Sequence, residues 1–168
     1  MTTKTVKPAQ RARALQDRQD LKMARSAETY VRGTPLKFYA WLESADGDLI
    51  PKGPPVWICG DCHAGNLGPV AAMDGRIAIQ IRDLDQTVIG NPAHDIIRLA
   101  LSLATASRGS DLPGVTTARI LEQVIEGYQA ALQQEADAIE DAPKSIQLVM
   151  KKSLARSWKK LADERLED

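Results

Sequence analysis

Val56-Trp57-Ile58-Cys59-Gly60-Asp61-Cys62-His63-Ala64-Gly65-Asn66-Leu67 is the stretch whose reading decides both fold and chemistry. A short apolar run, Val56 to Cys59, delivers a loop that carries an acid, an imidazole and a carboxamide. A second apolar run, Ile77 to Ile81, delivers two more acids in Asp83-Leu84-Asp85. The spacing predicts oxygen-bearing groups gathered at the ends of two adjacent strands. Asp61 and Asn66 stand five apart, so one loop can turn a carboxylate and a carboxamide oxygen toward one small volume. Gly60 and Gly65 permit the tight backbone this needs, and Asp83 is expected to emerge from the neighbouring strand into the same volume. Mg²⁺ takes hard oxygen ligands, usually one or two protein groups together with phosphate oxygens and water. Asn66 and Asp83 would supply that pair, leaving Asp61 to accept a proton from a hydroxyl.

Outward from this stretch, the chain alternates between helical and extended patterns. Residues 8–31 are rich in Ala, Arg, Gln, Leu and Met and predict a helix with a thin apolar stripe (Leu15, Leu21, Met23, Ala27, Tyr30). Gly33 and Pro35 interrupt it before a short helix over Leu36 to Leu42. Ala45-Asp46-Gly47-Asp48 is a turn, and Pro51 to Pro55 is a stiff connection. Val56 to Cys59 predicts a short buried strand, Leu67 to Val70 a second, and Met73-Asp74-Gly75 a hairpin turn. Arg76 to Arg82 alternates polar and apolar with period two and predicts a strand with one buried face. Asn91-Pro92 is a helix cap with Pro at the first helical position. The helix it opens, ended by Gly109, is apolar nearly all round and predicted central and buried. A helix from about Pro113 to Ile139 follows. Asp141 then caps a last one with the stripe Ile146, Val149, Met150, Leu154, Trp158, Leu161. This order predicts one mostly helical α+β domain over 1–168: a basic N-terminal helix (1–34), a core with a small β-meander (56–104) and a helical part (112–165). Trp41, Trp57 and Trp158 read as core or half-core packing.

Composition narrows the class. At 168 residues the chain is long enough for one domain with a real core. Hydrophobic content of 43% and charged content of 26% are those of a globular protein, and 4% aromatic content makes the core aliphatic. Zero formal net charge argues against a dedicated nucleic-acid or membrane-surface binder. Residues 1–40 nonetheless hold nine Lys/Arg against three acids, a solvated basic face or an anion-facing arm. No apolar run approaches the roughly 18–20 residues that span a bilayer, and the first residues lack the apolar core of a signal peptide. The expectation is a cytoplasmic protein with Cys59 and Cys62 as reduced thiols.

Three linked motifs carry a resemblance. Gly60-Asp61-x-His63-x-x-Asn66 resembles the catalytic loop of aminoglycoside phosphotransferases and related protein-kinase-like enzymes, in which an Asp and an Asn five residues later share one loop. Asp83-Leu84-Asp85, with Ile89-Gly90-Asn91-Pro92-Ala93-His94-Asp95, resembles their metal-binding segment and its continuation. From Tyr30-Val31-Arg32-Gly33 to Arg98-Leu99-Ala100 the chain looks closer still to a bacterial family of unknown function, DUF2252, over roughly residues 22–165 and most strongly 56–104. The resemblance implies a kinase-like catalytic (C-terminal) lobe that transfers a nucleotide γ-phosphate to a small-molecule hydroxyl with Mg²⁺ and ATP. It makes Asp61 the catalytic base, Asn66 and Asp83 metal ligands, Asp85 a further metal-side acid, and Asp95 a brace for the loop, with His63, Gly60 and Gly65 in support. The sequence departs from the kinase pattern before Val56, where no Gly-rich strand–loop–strand and no Val-Ala-Ile-Lys-like run occurs. The expectation is therefore a truncated member, with the nucleotide lobe supplied by a separate chain, or a non-catalytic lobe that binds a partner.

Cys59-Gly60-Asp61-Cys62-His63 also spells the C-x-x-C-H of c-type haem attachment, with Met73 as a second axial ligand. The lack of an export signal, a strand rather than a helix leading in, and few aromatics weigh against it. A thioredoxin-like dithiol lacks a helix clearly starting at Cys62. A zinc site would have to recruit His94 to Cys59, Cys62 and His63 at poor spacing. The plainer reading of each cysteine is a small buried apolar residue.

Overall fold

The computed structural model describes residues 7–44, 47–74, 76–110, 112–133 and 151. The described residues of 1–64 and 86–125 form one compact unit, and those of 65–85 and 126–168 a second. Both belong to a mostly helical α+β chain with small antiparallel sheets.

In the first unit, the basic N-terminal segment is two helices rather than one: α1 (Arg11–Met23) and α2 (Ala27–Gly33). The break falls at Ser26, whose hydroxyl accepts the Thr29 N–H at 3.1 Å and so caps α2 instead of continuing α1. Serine competes with the helix for backbone donors in this way. The apolar stripe expected on α1 does not pack: Leu15 and Leu21 are exposed and α1 buries no residue. Helix α3 (Pro35–Leu42) starts at Pro35 and buries Phe38.

Strand β1 (Val56–Ile58) leads into the loop, but it is less buried than the apolar run suggests. Trp57 is 72% exposed, and Ile58 alone of the three strand residues is buried. Its partner is β4 (Val88–Gly90), which pairs antiparallel with Val56 opposite Gly90 and Ile58 opposite Val88. Among the described residues the strands form two two-stranded ladders, one in each unit, rather than the meander expected from the sequence.

Helix α4 (Pro92–Gly109) begins where Asn91 accepts the Ala93 N–H at 3.0 Å, while its Nδ2 donates to Pro51 O at 2.8 Å. Helix α4 packs on α2 and β1. It is central, but the positions it buries are polar: Arg98, Ser102 and Ser107, while Leu101 is exposed. The fully apolar core residues near the loop are Phe38, Ile58, Cys59 and Cys62, each gaining about 1.5–3 kcal/mol when it is a large side chain and less for the small thiols.

In the second unit, β2 (Leu67–Ala71) and β3 (Ile77–Ile81) form an antiparallel hairpin, Leu67 opposite Ile81 and Ala71 opposite Ile77. Ile77, Ile79 and Ile81 share the more buried face, as the alternation predicts. Asp74 shapes the turn by accepting the Arg76 N–H at 3.0 Å; Gly75 lies outside the described residues. Helix α5 (Gly114–Leu132), whose residues up to Ile125 belong to the first unit, occupies most of the span expected from Pro113. Its continuation to Ile139, the last helix from Asp141 with Trp158, and the Ala45-Asp46 part of the turn lie outside the described residues. No helix among the described residues is long and apolar enough to cross a membrane.

Replacing Asn91 with Ala removes a cap and the bond to Pro51 together. The expected loss is about 1–2 kcal/mol in urea denaturation, with Asn91→Asp, which keeps a capping oxygen, losing clearly less. An unchanged midpoint for Asn91→Ala would show that α4 is not anchored at this end.

Candidate active site

The loop after β1 lies along one face of α4, and the helix holds it residue by residue. Asp95, Arg98 and Ser102 stand at positions i, i+3 and i+7, which an α-helix places on one face over about 10 Å of rise. Asp95 accepts the Cys59 N–H at 2.6 Å through Oδ2 and the Gly60 N–H at 3.1 Å through Oδ1. Arg98 donates from Nε to Asp61 Oδ1 at 2.8 Å, and its Nη2 donates to the same oxygen. Ser102 Oγ accepts the Ala64 N–H at 3.1 Å. Two backbone amides at the start of the loop, its acid, and an amide at its end are thus fixed by one rigid element.

Other groups complete the hold. Tyr39 on α3 donates its hydroxyl to Gly60 O. Burial, and then the nearby Asp95 carboxylate, raise the Tyr39 phenol above its ordinary pKa, so it stays a donor. Gly60 has φ +79°, and a Cβ there would lie 2.2 Å from Gln86 O. The position therefore demands glycine on two counts. Gly65 needs no such licence: Gly60 is the one positive-φ glycine among the described residues.

Arg98 is 1% exposed and Asp61 19%, so the ion pair sits at the edge of the interior. Arg98 Cζ lies 5.4 Å from the centroid of the Phe38 ring, a cation–π contact that shields its other face. His63 is buried, with Nε2 3.8 Å from Asp61 Oδ2, beside the acid but beyond hydrogen-bond range.

The second unit holds the remaining acids and amide. The buried Asn66 faces Asp83 as a strand partner would: Nδ2 donates to Asp83 O at 2.8 Å and Oδ1 accepts the Asp83 N–H at 2.7 Å. With Arg82 N–H on Asn66 O at 2.9 Å, the side chain extends the β2–β3 ladder by one rung. Arg82 Nη2 donates to Gly65 O at 2.7 Å. Asp83 Oδ1 accepts the Asp85 N–H at 3.3 Å, and both acids are exposed. Gly60, Asp61, His63 and Asp95 are brought together in the first unit, and Gly65, Asn66, Asp83 and Asp85 in the second.

The donor types are those a hard cation takes: one carboxamide oxygen, which also accepts the Asp83 N–H, and two exposed carboxylates. No group of three or more His, Cys, Asp or Glu arranged to hold a metal occurs among the described residues, so phosphate oxygens or water would have to complete any shell.

Both cysteines are buried, and neither is in a disulfide. Burial first, and then the Asp95 charge, push the Cys62 thiol up to about 12. A thiol that resists ionisation packs well and makes a poor redox nucleophile or metal ligand.

Sequence reasoning passed over Arg98, Ser102, Tyr39 and Phe38 as members of the site. The readable signal was a polar i, i+3, i+7 row, Asp95-Arg98-Ser102, leading into and through the mainly apolar stretch from Ile96 to Ala104.

The family described as an uncharacterized protein conserved in bacteria (DUF2252) matches residues 11–166. The chain belongs to this family. The match reaches further toward the N-terminus than the motifs alone, taking in α1. Comparison with curated proteins and with solved structures gives no significant match.

The DUF2252 chain should keep Cys62 unreactive toward iodoacetamide at pH 8 while folded and alkylate it rapidly once unfolded. The thiol's folded pKa lies above its unfolded value near 9, so its contribution to stability is complete below about pH 9. That contribution falls away as pH rises from there toward 12. Rapid native alkylation at pH 8 would contradict this environment.

Proposed function

We propose that this member of DUF2252 provides the hydroxyl-activating and metal-side half of a Mg²⁺-dependent phosphotransferase, built like the catalytic lobe of kinase-like enzymes. The observation that carries the reading is the hold of α4 on the loop: a buried arginine and two further side chains fix one short segment and its acid. A plain surface turn needs no such preorganisation, whereas a general base needs it.

In this reading Asp61 accepts the proton of an acceptor hydroxyl. Both Arg98 donors land on Oδ1, which sets the plane of the carboxylate and leaves Oδ2 for the proton. Asp95 and Tyr39 position the backbone on either side of Gly60. Asn66 holds the chain at Asp83, and Asn66, Asp83 and Asp85 are the residues that would hold Mg²⁺. Bound there with a nucleotide, the ion would neutralise charge on the transferring phosphoryl group. Residues 1–55 contain no Gly-rich loop or strand lysine of the kinase type. The nucleotide's cover therefore falls to another segment or a partner chain.

Calorimetric titration of the folded chain with ATP, with and without Mg²⁺, tests this. Binding should require Mg²⁺ and weaken at least tenfold in Asp83→Ala, about 1.4 kcal/mol. ATP binding that is independent of Mg²⁺, or equally tight in Asp83→Ala, would overturn the metal-side assignment, and a folded chain that takes up no ATP with Mg²⁺ present would show that it is not a kinase on its own.

A further inference from the structure

Residues of helices α2, α3 and α4 line an open cleft of about 350 Å³ in the first unit, within the roughly 300–1,000 Å³ typical of small-molecule pockets. Its walls are the rings of Tyr30, Phe38 and Trp41 and the aliphatic side chains of Ile97 and Leu101. Tyr30, Trp41 and Leu101, all of which line it, remain partly open to solvent.

Among the described residues that line the cavity, Lys37 and Arg98 carry the charge, and none is a carboxylate. The Arg98 charge is met by Asp61. The Lys37 ammonium instead meets the Tyr30 hydroxyl at 2.7 Å and lies 5.1 Å from the Tyr30 ring centroid, with no carboxylate within ion-pair distance among the described residues. One uncompensated cation at the edge of an aromatic, aliphatic cleft suits a flat apolar body bearing a single negative charge. A cationic ligand would face two like charges, and a polyanion would find one cation where it needs several.

We propose that this cavity is a binding site for a small aromatic monoanion, its ring packed among Phe38, Trp41 and Leu101 and its acid group on Lys37. The inference is independent of phosphoryl transfer, because it rests on the cavity and Lys37 alone. Since Arg98 is part of the wall and also holds Asp61, the ligand would sit against the residue that positions the loop.

Calorimetry on the full chain with naphthoate and its neutral isostere naphthamide tests it. The native protein should bind naphthoate at least tenfold more tightly than naphthamide. Lys37→Gln should bring the two to equal affinity, and Leu101→Trp, which fills the cavity from a partly exposed helix position, should abolish both with unchanged circular dichroism. Equal binding of the two probes by the native protein would overturn the proposal. So would binding that survives Leu101→Trp. No binding by the folded chain would do the same, and would mean that another part of the chain or a second copy fills the cavity.

Discussion

A guanidinium with 1% of its surface exposed has lost nearly all its water, and the desolvation must be offset by partners within the protein. Arg98 finds them in the Asp61 carboxylate, the Phe38 ring and, at a longer 3.4 Å, Val31 O. Each belongs to a different part of the first unit: the loop, α3 and α2. One side chain on α4 therefore ties three elements together, and the loop is one of them. Because the charge is so deeply placed, the loop cannot drift from the helix without stranding it. The position of Asp61 is thus coupled to the stability of the unit rather than left to a flexible turn.

Asp95 and Ser102 extend the same logic to the backbone. Buried amide groups need acceptors, and the loop between β1 and the 3-10 turn Ala64–Asn66 has no strand partner to supply them. Asp95 serves Cys59 and Gly60, and Ser102 serves Ala64. In the second unit Asn66 does for Asp83 what a strand residue would have done. Both halves of the acid-rich motif are thus held by side chains that imitate missing secondary structure.

Much of this was legible in the sequence. Asn91-Pro92 announces α4 because a capping side chain and a fixed φ act locally, and the alternation of residues 76–82 announces β3 because a pleated strand has period two. The motif Gly60-Asp61-x-His63-x-x-Asn66 marks the loop, and Gly60 proves to need its φ. What stayed hidden is non-local. Val88-Ile89-Gly90 becomes a strand only because β1, thirty residues earlier, pairs with it. Leu15 and Leu21, six residues apart, do not share one face of α1, and neither packs. Arg98 looks like a polar interruption of an apolar helix until Asp61, thirty-seven residues away, is seen to meet it. The family match spans residues 11–166 without singling out the loop, and the pairing that organises the loop had to be read from the fold.

Arg98 and Asp61 act as one unit, a buried guanidinium held by a partly exposed carboxylate. A double-mutant cycle of Asp61→Asn and Arg98→Met, followed by urea denaturation, measures this directly. Each single change should cost about 3–5 kcal/mol by leaving a charge without its partner. The double variant should recover enough to give a coupling of at least about 2 kcal/mol. Effects that add to within about 0.5 kcal/mol would show that the two side chains act independently, and would contradict the account.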